Sequence, residues 1–273
     1  MSRRQTLAVL TAALLSVCYA PTLQGMFDQW LTEEDMSHGL VVPILIFWVI
    51  WRERDRWRAL RSEPSGWGIA LLAAGAGVHF AGVLGVGLFA SSVALLISVA
   101  GAVLCLSGFA ALRMLAFPFA LAAFMLPKLA FVYDQATLPL QLIASRIAAG
   151  LLTLSGIGAI REGNILDVGG HRVAVAEACN GIRYLFALGL MAIVFAYVAD
   201  SKPWMRWALL AAAVPIAILA NAVRVAAASW LPFLDGGFPH AAFGWFIFVL
   251  CLAPLMLLRG LFNKVYVSCQ SRA

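Results

Sequence analysis

The sequence predicts an all-α polytopic membrane protein: a helix bundle of about eight spans carrying one small extracytoplasmic β-hairpin. Three observations predict it. The 273 residues are 63% hydrophobic and only 12% charged, with a mean hydropathy of +0.93, whereas soluble domains carry about 25% charged residues. Apolar stretches recur at 7–24, 40–51, 67–88, 91–110, 112–126, 180–199, 207–224 and 240–258, and a spanning helix needs ~20 such residues. Only 159–178 reads as non-helical, where Ile165, Val168, Val173 and Val175 flank Gly169-Gly170, a two-residue turn suited to a hairpin.

The elements follow in order. Arg3-Arg4 and the apolar run after them imitate a signal peptide. Pro21 directly after Ala20 hinders cleavage, and Val17 before Cys18 spoils a lipobox, so 7–24 is expected to be an uncleaved first span. Asp28, Glu33, Glu34 and Asp35 occupy the loop outside. The short second stretch starts within 36–40 or tilts less than its neighbours, and returns to the arginine-rich segment 52–61. Pro64-Ser65-Gly66 breaks the chain before the third span, which Gly82, Gly85 and Gly87 end; the fourth returns to Arg113, and the fifth exits near Lys128. In 129–158, Asp134, Gln141 and Arg146 interrupt the apolarity and Pro139 divides it. A surface-lying or re-entrant segment with both ends outside is expected there. After the hairpin, the sixth span runs inward to Asp200, the seventh outward to Arg224, and the eighth inward from His240 to Arg259. Residues 1–273 read as one domain.

Charge fixes the orientation. Thirteen of the 19 Lys and Arg fall on one side by this topology; the others are Lys128, Arg146, Arg161, Arg172, Arg183 and Arg224. That bias is the positive-inside pattern of an inner (plasma) membrane protein with both termini cytoplasmic. The net charge of +6 is therefore a topology signal and not a nucleic-acid signal. Cys18, Cys105, Cys179, Cys251 and Cys269 form no CxxC, which argues against a zinc ribbon or a redox pair. The outer histidines have no carboxylate at ligand spacing, so neither a metal nor a cofactor is expected.

Three reactive groups fall at one membrane face: Cys179 opens a span, Arg224 closes the next, and His240 opens the one after. A helix N-terminus stabilises a thiolate. A cysteine nucleophile needs a proton acceptor such as His240. Arg224 can hold a carbonyl or stabilise a developing oxyanion, and Asn221 lies one turn before it on the same helix face. Each group also has a bland explanation: a small packed residue, an arginine snorkelling to headgroups, a structural histidine. His38, in Ser37-His38-Gly39, is a fourth candidate, while Glu177 and Asp167 are available to orient a histidine.

These motifs resemble the exosortases, bacterial members of the exosortase/archaeosortase family, over nearly the whole chain. The likeness rests on Ser37-His38-Gly39 with Pro43 and Trp48, Phe117-Pro118, Met125-Leu126-Pro127 and Leu140-Gln141. It continues through Ala178-Cys179-Asn180-Gly181-Ile182-Arg183, Asn221-Ala222-Val223-Arg224-Val225, and His240 before Gly244. The resemblance implies a multi-span cysteine protease or transpeptidase with Cys179 as nucleophile and Arg224 and His240 completing a triad. His38, Glu177, Asn180, Arg183 and Asn221 would support it. It implies substrates that are exported proteins ending in a short motif, often Pro-Glu-Pro, then a transmembrane helix and a basic tail, and transfer to an unknown acceptor. Asn180 departs from the serine of many relatives, and no extra periplasmic domain follows the core. The rival classes are a transporter, which predicts broken helices in paired halves, and a scaffold in which the polar groups only knit helices.

Overall fold

Backbone polar groups in lipid must be satisfied within their own segment, which favours helices. The computed structural model describes residues 3–175, 181–199, 203–234 and 237–270. Helices dominate them, with one three-stranded sheet. Among the described residues, six helical segments are long and apolar enough to cross a membrane, or seven if a bent pair counts as one span; Ala116–Met125 and Ile182–Val198 are shorter apolar helices. The fold class matches the expectation of about eight spans. The chain divides into two compact units, Met1–Leu129 and Ala130–Ala273.

In the first unit, the stretch expected as one span is two helices, α1 (Arg3–Cys18) and α2 (Ala20–Thr32), bent by 70° at Tyr19. The buried Tyr19 hydroxyl shares a hydrogen bond with Ser98 Oγ at 2.8 Å. A 3-10 turn, Glu34–Leu40, leads into α3 (Val42–Arg52), so the second candidate span begins at Glu34, ahead of the expected 36–40. The arginine-rich segment forms α4 (Arg54–Ala59). Next, α5 (Trp67–Ala81) and α6 (Leu88–Ser107) make an antiparallel pair in seven-residue register: Gly68 packs on Cys105, Gly75 on Ser98, and Gly82 on Ser91. A Cβ at Gly68 would sit 2.5 Å from the Cys105 backbone nitrogen, so glycine permits the close approach. The fifth apolar stretch is broken into α7 (Phe109–Met114), α8 (Ala116–Ala122) and the 3-10 turn Ala123–Met125. It begins beside Glu63 and ends where Trp30 Nε1 donates to the Met125 carbonyl. Nearby, Lys128 pairs with Glu33 at 2.6 Å. Burial pushes the Glu33 carboxyl up, but hydrogen bonds from Lys128 and Gln29, with the Lys128 charge, outweigh it and hold the pKa below the ordinary value.

The second unit corrects one expectation. Residues 130–154 form a continuous 25-residue helix, α9 (Ala130–Leu154), and not a surface-lying or re-entrant segment. At ~1.5 Å per residue it is long enough to cross. It lies lengthwise on α11 (Pro203–Trp230): Leu140 and Ala144 line one small pocket with Ile218 and Asn221, and Ala148 and Leu152 share a core with Val225 and Ala226. Of the polar residues that interrupted the apolarity, Gln141 is buried, while Asp134 and Arg146 are exposed. Thr137, Gln141, Ser145, Ala148 and Leu152 form one face. Gln141 Oε1 accepts from Asn164 Nδ2 at 3.1 Å, and Ser145 Oγ donates to the Gly163 carbonyl at 3.0 Å. With α9 crossing, the sidedness of later segments no longer follows from counting crossings.

The hairpin is present, with one strand more than expected. β1 (Ala159–Glu162), β2 (Ile165–Val168) and β3 (His171–Ala174) form an antiparallel meander. Val168 pairs with His171, leaving Gly169 and Gly170 at φ 62° and 89°. Two consecutive positive φ angles define the mirror-image turn that suits strand twist, and glycine adopts them without steric cost. Leu166 and Val175 pack on α9 and α11. Two further helices, α10 (Ile182–Ala199) and α12 (Gly237–Gln270), pack antiparallel to α11. Tyr184, Leu188, Ala213, Ala217, Ile247 and Cys251 form their common core.

Candidate active site

Helical spacing puts Asn221 and Arg224 one turn apart on α11, and both side chains are buried, 1% and 4% exposed. Burying a guanidinium is costly without compensation. Arg224 Nη2 meets His240 Nε2 at 2.5 Å, while His240 Nδ1 meets the Leu234 carbonyl at 2.7 Å. A carbonyl only accepts and a guanidinium only donates, so the tautomer follows: Nδ1 carries the proton, and Nε2 offers its lone pair to Arg224. The short turn Pro232–Leu234 between α11 and α12 supplies that carbonyl. The Tyr184 ring on α10 lies 5.7 Å from Arg224 Cζ, a cation–π contact.

Among the described residues no carboxylate lies within ion-pair distance of Arg224, and its buried Nε has no acceptor. The start of α10 adjoins the same face of α11: a Cβ on Gly181 would lie 3.1 Å from Asn221 Nδ2.

The structure thus brings Arg224, His240 and Asn221 together with Gly181. Cys179, Glu177 and Asn180 lie outside the described residues. Arg183 is half-buried in the first turn of α10. His38 lies buried in the 3-10 turn Glu34–Leu40 of the first unit, where Gly39 packs under the Trp30 indole. Asp167 does not orient a histidine; its Oδ1 accepts from Gly170 N and its Oδ2 lies 3.8 Å from Arg172. Two participants escaped the sequence reading. The Leu234 carbonyl left no trace there, since any residue carries one. Tyr184 left a weak trace: a lone aromatic hydroxyl in the first turn of a span wants a polar partner.

The profile of the transmembrane exosortase family matches residues 30–257. Searches among curated proteins and among solved structures find no match. The matched region runs from Trp30 through α12 to Leu257 and so contains Arg224, His240 and the whole packing around them. The chain is a multi-pass membrane protein and belongs to the transmembrane exosortase family.

Proposed function

We propose that this protein is a membrane-embedded cysteine peptidase/transpeptidase that cleaves C-terminal sorting signals of exported proteins at the extracytoplasmic membrane face. The observation that carries the reading is the buried Arg224, which has no carboxylate partner among the described residues and is hydrogen-bonded to His240. An uncompensated cation favours an anion beside it, and a thiolate is one. Cys179 precedes Gly181 by two residues, so the chain gives it at most ~7 Å of reach from a glycine that packs on Asn221. Sidedness has support within the second unit: Arg206, Arg259 and Lys264 belong to the opposite ends of α11 and α12.

The mechanism is acyl transfer. The scissile carbonyl oxygen draws Arg224 from His240 Nε2, which takes the Cys179 thiol proton. The sulfur attacks the carbonyl carbon, and Arg224 stabilises the oxyanion. The C–N bond breaks as Nε2 passes its proton to the leaving amine. Water or an acceptor amine then gives a proton to Nε2 and attacks the thioester carbonyl; the C–S bond breaks, and Nε2 returns that proton to the departing sulfur. The Leu234 carbonyl keeps the ring oriented throughout. Substrates carry a short C-terminal motif, a transmembrane helix and a basic tail. No cofactor enters.

Cys179→Ala tests the reading. A candidate substrate of that architecture should accumulate as its precursor, by mass, while the variant still inserts in the membrane. Normal processing would remove Cys179 as nucleophile.

A further inference from the structure

Two helices, α10 and α12, meet the guanidinium that Arg224 carries on α11. Tyr184 on α10 is 4% exposed, with its ring 5.7 Å from Arg224 Cζ. Its hydroxyl passes the arginine by and donates to the Gly244 carbonyl of α12 at 3.1 Å. Gly244 lies one turn after His240, which meets Nη2. A Cβ on Gly244 would stand 3.2 Å from Tyr184 Oη, 3.4 Å from Arg224 Nε and 3.5 Å from Cζ. A side chain at 244 therefore crowds the phenol oxygen and reaches the guanidinium at van der Waals distance. The hydroxyl fixes the ring to a neighbouring backbone, and the ring forms a floor under the cation. An arginine loses rotamer freedom when held in one geometry. The floor, with the close approach of the α12 backbone that Gly244 permits, restricts it before substrate arrives.

We propose that Tyr184 and Gly244 are positioning residues that clasp Arg224 in the direction its role requires. The proposal rests on the reading of Arg224 as the cation that serves Cys179.

The test needs no substrate. In the full-length protein in membranes, with Cys18, Cys105, Cys251 and Cys269 replaced by Ala, iodoacetamide alkylation of Cys179 is followed from pH 5 to 10. Arg224→Gln should slow alkylation at neutral pH by about tenfold, since loss of a neighbouring cation removes thiolate. Tyr184→Phe keeps the ring's shape and should slow it about threefold by freeing the floor, with the rise moved to higher pH. Gly244→Ala should act in the same direction. Tyr184→Phe combined with Arg224→Gln should be no slower than Arg224→Gln alone, because both act through one group. A structural role alone would lower yield without moving the pH profile. Wild-type profiles for both Tyr184→Phe and Gly244→Ala beside a slowed Arg224→Gln would overturn the clasp and leave the proposed function standing. Additive effects would do the same. An unchanged Arg224→Gln profile would remove the arginine's role and the clasp with it.

Discussion

Replacing Arg224 by Lys separates charge from geometry. Arg224 reaches His240 Nε2 with Nη2 at 2.5 Å while its buried Nε remains a donor with no acceptor. It therefore has one donor to hold the histidine at rest and another to offer an oxyanion. Lysine keeps the positive charge but ends in one compact ammonium without the planar fork, and it cannot lie across the Tyr184 ring as the guanidinium does. Losing one oxyanion donor costs ~10²–10³ in rate, about 2.7–4 kcal/mol. Processing by Arg224→Lys should accordingly fall by roughly 10², while Cys179 alkylation at neutral pH falls by less than about threefold, because the cation that favours the thiolate persists. Arg224→Gln should lose both. The assay is pulse-chase conversion of an exported substrate, read by mass, in cells whose own copy is replaced by the variant. Wild-type processing by Arg224→Lys would show that charge alone suffices and refute the fork. A parallel fall in alkylation and processing would refute the separation of roles.

Three further outcomes are expected. Glu33→Gln should lower the thermal midpoint at pH 7 by no more than the equivalent of about 1 kcal/mol, since both partners of its Lys128 pair are 32% exposed. The folded carboxyl titrates below its unfolded value, so the pair stabilises above the unfolded pKa and fades as pH falls through the folded one; a difference that persisted in strong acid would contradict this. Gly75→Leu should separate α5 from α6, because a side chain there overlaps Ser98 and meets the Ala94 carbonyl at 3.1 Å; the expected loss is about 1–3 kcal/mol in denaturant titration, and a neutral variant would contradict the packing. Asn164→Ala should leave the buried Gln141 oxygen unsatisfied and cost about 1–3 kcal/mol. Adding Gln141→Leu should restore part of that loss, and no restoration would argue against the tie between α9 and the sheet.

The sequence made the helical class, the turn at Gly169-Gly170 and the pairing of Arg224 with His240 legible, because each rests on a local pattern. Apolar run length sets spans, paired glycines set a turn, and a short connection sets neighbouring helix ends together. What remained hidden depends on partners far along the chain. Gln141 interrupted an apolar run, and its hydrogen-bond partner, Asn164 at the turn between β1 and β2, lies 23 residues further on. The break in the first apolar stretch falls at Tyr19, just before Pro21 at the start of α2, and the Tyr19 hydroxyl reaches Ser98 on α6, a contact invisible in a hydropathy window. The seven-residue spacing of Gly68, Gly75 and Gly82 was present in the sequence. Its meaning appeared only against Ser91, Ser98 and Cys105 running the opposite way. Asp167 was the natural carboxylate for a histidine by type, yet its own turn claims it, and a backbone carbonyl at Leu234 takes that place.

The most direct trial of the proposed chemistry is the mass of the Cys179 peptide from membranes acid-quenched during turnover of a substrate. Nucleophilic catalysis predicts a hydroxylamine-labile adduct equal to the substrate's upstream fragment, absent from Cys179→Ala membranes. An unmodified Cys179 in membranes that are converting substrate, together with continued conversion by Cys179→Ala, would contradict it.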